Sequence, residues 1–279
     1  MIALALEEDL GSNGDITTAA VFPRGRPASA RLVAREEMVV AGLELCAMVY
    51  EELAARCRHR ANVRLLAEDG QRARPGQALA QVRGDARAVF AGERVMLNLL
   101  GRLCGIATAT ARAVEEIAGM RCTIADTRKT TPGLRLLEKY AVAVGGGENH
   151  RLRLDSLVMI KDNHKFLAGG IGPAIDAVRA AGHDPAKIEV EVDDLAEFEQ
   201  ALELGVGWIL LDNMGPEQVR QAAQRAAGRC RLEVSGGLQP GRLRAYAQAG
   251  ADRLSLGALT HSARAVDLGL DLDRDAAGG

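Results

Sequence analysis

Short apolar runs, each closing on polar residues, recur through the second half of the chain at nearly constant spacing. They are LVMIKDNH (157–164), KIEVEVDD (187–194), WILLDNM (208–214), RLEVSGG (231–237) and RLSLGALTHS (253–262), with CTIADTRKT (122–130) ahead of them. Taking Lys161, Glu191, Asp212, Ser235 and Gly257 as strand ends, the steps are 30, 21, 23 and 22 residues. Between them, stretches such as LAEFEQALELG and PEQVRQAAQRAAG are apolar at helical period. Repeated β-then-α units of that length mean parallel strands with crossover helices. So many in a row favour an α/β fold of the (β/α) barrel kind, closed or incomplete, over a doubly wound sheet.

The first hundred residues read differently. Residues 30–42 and 62–66 have strand-like apolar content, and 68–90 is broken by Gly and Pro into hairpin-like pieces. From about Glu93 the pattern turns helical, in a stretch expected to leave one domain and enter another. The expected organisation is an N-terminal domain over 1–103, a barrel over 104–265, and a tail over 266–279 returning to the first domain.

Composition narrows the function. Lys and Arg total 35 against 37 Asp and Glu, so no broad basic face is available for nucleic acid or a membrane surface. Aromatics are only 3%, which disfavours base-stacking readers of single strands. The five cysteines (Cys46, Cys57, Cys104, Cys122, Cys230) are scattered, with no C-x-x-C pair, so neither a disulfide framework nor a zinc site is implied. A cytoplasmic location is the simplest expectation. The N-terminus has no basic n-region, and no apolar run approaches the ~18 residues of a membrane span. The chain contains neither a P-loop nor a Rossmann fingerprint.

Net neutrality hides a local asymmetry. Residues 121–165 hold nine Lys or Arg against five Asp or Glu, whereas 184–214 hold nine acidic residues against one basic. In a barrel, strand C-terminal ends form the active face, so both stretches reach one mouth. The cationic side suits a multiply anionic ligand, since Arg can fork onto carboxylate or phosphate. The acidic side suits Mg²⁺, with Glu191 and Asp212 as candidate ligands because each follows an apolar strand. Glu197, Glu199 and Glu203 read as a solvated helix face. SGG (235–237) and GALTHS (257–262) follow the last two strands, where glycine backbone can cradle a phosphate.

Together the strings EDLGSNGDITT, GRLCGIAT, DTRKTTPGLRLLEKYAVAVGGGENHR, MIKDNH, EVEVD, LLDNM, EVSGG and SLGALTHSA resemble the quinolinate phosphoribosyltransferase family, from about Leu6 to Leu270. The resemblance implies an N-terminal α/β sandwich domain and an irregular, incomplete α/β barrel of the type II phosphoribosyltransferase kind. It implies a homodimer, with the N-terminal domain of one subunit closing over the barrel mouth of the other. The implied reaction joins quinolinate and phosphoribosyl pyrophosphate, with Mg²⁺, into nicotinate mononucleotide, pyrophosphate and carbon dioxide, a step of NAD biosynthesis. By the same resemblance, Arg128, His150, Arg151 and Lys161 hold quinolinate, with Arg102 donated from the partner subunit. Lys129 faces the phosphoribosyl pyrophosphate. Glu191 and Asp212 steady the metal and the ribosyl centre. Ser235, Gly236, Gly257 and His261 hold the phosphate.

Departures from the family pattern are Cys104 for a usual Ser, Ala143 for a common basic residue, and Arg153 for a usual Gly. The segment before EDL is also shorter than in typical relatives. His164 is expected to hydrogen-bond within IKDNH. The rivals are the same scaffold using nicotinate or another pyridine acid, a Schiff-base aldolase with Lys161 as nucleophile, and a non-catalytic ligand-binding protein.

Overall fold

The computed structural model describes residues 1–57 and 59–273, in two compact units. Unit 1 comprises Met1–Ala109, Pro132–Gly145 and the stretch from Ala263 onward; unit 2 comprises Thr110–Thr131 and Gly146–Ser262. This division departs from the sequence boundaries. The Arg135–Val144 helix lies inside the expected barrel segment but belongs to unit 1. Polar contacts hold it there: Glu138 accepts from Arg102, and the Tyr140 hydroxyl donates to Asp69 at 2.6 Å, both partners being unit 1 residues.

In unit 1 the strands are β1 (Pro27–Ala34), β2 (Met38–Val39), β3 (Ala61–Leu65), β4 (Arg72–Ala73) and β5 (Ala78–Asp85). Those of unit 2 are β6 (Thr123–Ala125), β7 (Met159–Ile160), β8 (Glu189–Val192), β9 (Trp208–Asp212), β10 (Arg231–Ser235) and β11 (Arg253–Ser255). The chain then returns to unit 1 as β12 (Leu268–Leu272), antiparallel to β1. The antiparallel sheet of unit 1 has the order β12-β1-β5-β3. Its core is aliphatic: Ala30, Leu32, Leu79, Ala80 and Val82 are fully buried. Of the expected tail, residues 274–279 lie outside the described residues.

The helical stretch expected from Glu93 begins earlier. Ala86–Glu116 is one helix of 31 residues, about 46 Å long at 1.5 Å per residue. Arg87–Phe90 is therefore helical rather than part of a hairpin, since β5 ends at Asp85, whose carboxylate accepts the Arg87 amide at 2.9 Å. Cys104 on this helix is buried, and its sulfur accepts the Ala41 amide at 3.3 Å, the bond a serine hydroxyl would make.

Unit 2 is a parallel sheet of order β6-β11-β10-β9-β8-β7, and Glu148 adds a parallel bridge beside β6. Among the described residues no strand joins β7 back to Glu148, so the barrel is incomplete. Local signals start the crossover helices. Asp194 accepts from the amides of Ala196 and Glu197, and Pro216 occupies a first-turn position that needs no donor. β8 is β-branched at every second position and is buried throughout, which turns both Glu189 and Glu191 to one face. No helix among the described residues is long and apolar enough to cross a membrane.

Candidate active site

At the C-terminal ends of the unit 2 strands lies a cleft of about 460 Å³, within the range of small-ligand sites. Arg128, Lys129, His150, Arg151, Lys161, Glu191, Asp212 and Ser235 all line it, although they come from six separate segments. Thr127, Glu233 and Ser255 also line it and were not singled out from sequence. A larger depression of about 1120 Å³ in unit 1 is lined by Arg24, Arg31, Arg83 and Asp273. There Ser29 and Gln81 are both bonded to Asp273, and Arg31 pairs with it.

The cationic wall is built from β6 and the loop after Glu148. Asp126, fully buried at the end of β6, accepts the His150 amide at 2.9 Å and the Asn149 side chain at 2.7 Å. That carboxylate ties the GENHR loop to the segment that runs on from β6 to Arg128. Arg151 donates to the Leu157 carbonyl at 3.0 Å, and its affinity for a proton is lowered by burial and then by the charge of Arg128. The Arg128 Nε is buried with no hydrogen-bond partner. Two guanidiniums that repel each other in a partly desolvated cleft form a receptor for an anion.

Opposite stands the acidic wall. Glu191 is buried and accepts from Lys161 Nζ at 2.6 Å, an ion pair that occupies the nitrogen a Schiff-base nucleophile would need free. Burial, then the charges of Glu191 and Asp193, raises Asp212. Crowded carboxylate oxygens of this kind suit a hard divalent cation. Below Lys161, His164 Nδ1 accepts the Lys161 amide at 2.9 Å and starts the Asp162–Ala168 helix.

Glycine geometry shapes the loops that follow β10 and β11. Gly236 sits at φ 88°, and a Cβ there would lie 2.3 Å from the Asn213 carboxamide oxygen, so the SGG and LLDN loops interlock only without a side chain. Gly257, Lys129 and His261 gather: a Cβ on Gly257 would be 3.0 Å from Lys129 Cδ and 3.1 Å from the His261 ring. Thr260 bonds the Lys129 carbonyl at 2.8 Å and fixes that segment.

Some expected residues lie elsewhere or face elsewhere. Arg102 is on the long helix in unit 1, bonded to the buried Glu138 at 2.8 Å and to the Ala263 carbonyl at 2.8 Å. Ala143 is exposed in unit 1, and Arg153 is exposed beside Asp155 and does not line the cleft. His150 reaches the cleft, but its ring is held by the protein. The Arg151 amide donates to Nδ1 at 2.7 Å, and Nε2 is 3.2 Å from Glu189 and 3.4 Å from Glu233. Burial works against a charged His150, and the two carboxylates overcome it, raising the ring to about 9. The amide at Nδ1 favours the tautomer with its proton on Nε2, and burial raises Glu189. Glu233 stays ionised against His150 and Arg253.

Two family models match the chain: the N-terminal domain of quinolinate phosphoribosyl transferase over residues 15–104, and its C-terminal domain over 106–271. A nicotinate-nucleotide pyrophosphorylase (carboxylating) of Mycobacterium leprae is 44% identical over 274 residues, covering 97% of this chain and 95% of that protein. A probable one from Methanothermobacter thermautotrophicus is 41% identical, covering 92% and 93%. The crystal structure of nicotinate-nucleotide pyrophosphorylase from Ehrlichia chaffeensis superposes with a TM-score of 0.92 at 36% identity, over 98% of this chain and 97% of that one.

Proposed function

The chain belongs to the quinolinate phosphoribosyltransferase family, and from that premise we propose that it transfers the phosphoribosyl group of phosphoribosyl pyrophosphate to quinolinate with loss of carbon dioxide, forming nicotinate mononucleotide for NAD biosynthesis. The observation that carries the reading is the convergence of Arg128, Arg151 and Lys161 on one cleft whose other wall is Glu191 and Asp212. Quinolinate has two adjacent carboxylates, which three cations match better than the single carboxylate of nicotinate. Binding it draws Lys161 from Glu191 and relieves the repulsion between Arg128 and Arg151.

The chemistry needs no side-chain nucleophile. The ring nitrogen lone pair attacks C1′ of the ribose while the C1′–oxygen bond to pyrophosphate breaks, through an oxocarbenium-like state of the kind known from glycoside chemistry. Glu191 and Asp212 face the positive ribosyl centre, while Lys129, His261 and the Ser235, Gly236 and Gly257 backbone bind phosphate oxygens. Once ribosylated, the nitrogen is cationic, and the bond to the neighbouring carboxylate breaks with its electron pair left on the ring carbon. A proton from solvent completes the step. Catalysis is thus positioning and electrostatics.

Glu191 and Asp212 are the residues that would hold Mg²⁺, directly or through water or the substrate; burial and then the charges of Glu191 and Asp193 raise Asp212, and a cation there would offset those charges. Bound, the ion would neutralise the departing pyrophosphate. We extend the proposal to a homodimer that donates Arg102 across the interface. Phe166 and Leu167, 83% and 85% exposed on one helix of unit 2, are apolar surface of the kind that marks a protein contact.

The test is product analysis with phosphoribosyl pyrophosphate and Mg²⁺. Quinolinate should give equimolar nicotinate mononucleotide, pyrophosphate and carbon dioxide, and nicotinate should turn over far more slowly. Equal turnover of nicotinate, or no pyrophosphate release with quinolinate, contradicts the proposal.

A further inference from the structure

Beneath the cationic wall, the barrel interior holds a group of charges that the proposed reaction does not use. The inward positions of barrel strands are ordinarily filled by Val, Ile and Leu. Here β8 and β10 place Glu189 and Glu233 side by side, 0% and 1% exposed. Arg253 closes the group from β11, donating to Glu233 at 3.2 Å and stacking on Trp208 at 4.1 Å from the ring centroid. Removing carboxylates from water costs several kcal/mol each, and apolar residues of similar size are often as stable or more so. Fold stability alone is therefore a poor reason for this pair.

We infer that Glu189 and Glu233 are positioning residues for Arg151, acting through His150; the inference rests on the reading of Arg151 as a quinolinate ligand. Three contacts fix the histidine. Asp126 accepts its amide at 2.9 Å, Nε2 lies at ion-pair distance from the two glutamates, 3.2 and 3.4 Å, which favours the ring proton on Nε2, and Nδ1 is left as an acceptor. That bare nitrogen accepts the Arg151 amide at 2.7 Å, so ring orientation and tautomer set the backbone from which Arg151 reaches into the cleft. The logic is that of a carboxylate behind a ligating histidine: the outer group chooses which ring nitrogen is available.

The three side chains also have the spacing of a metal site, their ligand atoms lying within 4.8 Å of one another. Arg253 on Glu233 and the neighbouring Arg151 oppose a cation there, and the positioning role accounts for the same contacts without one.

Steady-state kinetics on Glu189→Leu and Glu189→Gln test the inference. Leucine removes the acceptor, and quinolinate KM should rise about tenfold or more, as small misplacements of binding groups do, with phosphoribosyl pyrophosphate KM and Tm nearly unchanged. Glutamine keeps an acceptor oxygen and should restore quinolinate KM to within about threefold of wild type, a bond-for-bond replacement. An unchanged quinolinate KM in Glu189→Leu overturns the inference. So does a parallel rise of both KM values with a fall in Tm, or stoichiometric metal in wild type that Glu189→Leu loses. On the wild-type protein, nitrogen-15 spectra of histidine, assigned with His150→Asn, should show His150 protonated on Nε2 and bare on Nδ1. The opposite tautomer overturns the inference even where the leucine variant does not fold. A wild-type enzyme without quinolinate turnover would sink the functional reading instead, and is thereby distinguished.

Discussion

The lowered proton affinity of Arg151, caused by burial and then by Arg128, means that two guanidiniums share the cleft before any anion arrives. Each therefore gains more from a carboxylate than an exposed arginine would, because water screens the new contact less. Arg151→Ala should raise quinolinate KM about 10- to 100-fold, the factor that corresponds to a lost charge-assisted bond of roughly 1.5–3 kcal/mol. The KM for phosphoribosyl pyrophosphate should stay within about twofold, since phosphate binding is assigned to other residues. Michaelis–Menten analysis with each substrate varied in turn checks this, and equal rises in both constants would remove Arg151 from the acceptor site. Cys104 shows the same scale from the structural side: its thiol bonds the Ala41 amide, so a departure from the usual serine leaves the hydrogen bond in place.

At the scale of elements, the strand ends of unit 2 were legible because each apolar run closes on a polar residue that a buried strand would not keep. The interior was less so. EVEV places Glu189 and Glu191 on one face by simple alternation, yet only the residue nearest the strand end reads as functional, and the partner of Glu189 is a histidine almost forty residues earlier. Alternation along β8 was the signal available for Glu189; nothing local marks Glu233 or the carboxylate of Asp126 as supports. Likewise the orientation of His150 depends on side chains from two other strands, which spacing cannot reveal. The Gly236 turn was legible, and its reason is now steric. With φ at 88° and Asn213 2.3 Å from a would-be Cβ, Gly236→Ala must move one loop or the other. The left-handed conformation itself costs an alanine about 1–2 kcal/mol. The kcat/KM for phosphoribosyl pyrophosphate should fall at least about tenfold, that penalty expressed as rate. An alanine variant with unaltered kcat/KM would place the phosphate elsewhere.

Across the whole molecule, the sequence conveyed the two units only in outline. The parallel repeat announced a barrel, and its incompleteness shows in β7, which pairs only with β8 among the described strands. The return of the chain into the unit 1 sheet is a register between β12 and β1 that no local pattern specifies. The assignment of Arg135–Val144 to unit 1 follows from Glu138 and Tyr140, whose partners are distant in sequence. Arg102, held by Glu138 in unit 1, is proposed to complete the site of a second copy. Mixing inactive Arg102→Ala and Arg128→Ala subunits should then recover about a quarter of wild-type activity, because half of randomly formed dimers carry one intact site of two. No recovery after verified exchange would contradict donation in trans. The most direct test of the central claim, that separated cations converge on a doubly negative aromatic acid, is a crystal structure with quinolinate bound. The account predicts both carboxylates within hydrogen-bond distance of Arg128, Arg151 and Lys161, with the ring nitrogen turned toward Glu191 and Asp212. Quinolinate seated away from the unit 2 cleft, or held there by only one of those cations, would contradict it.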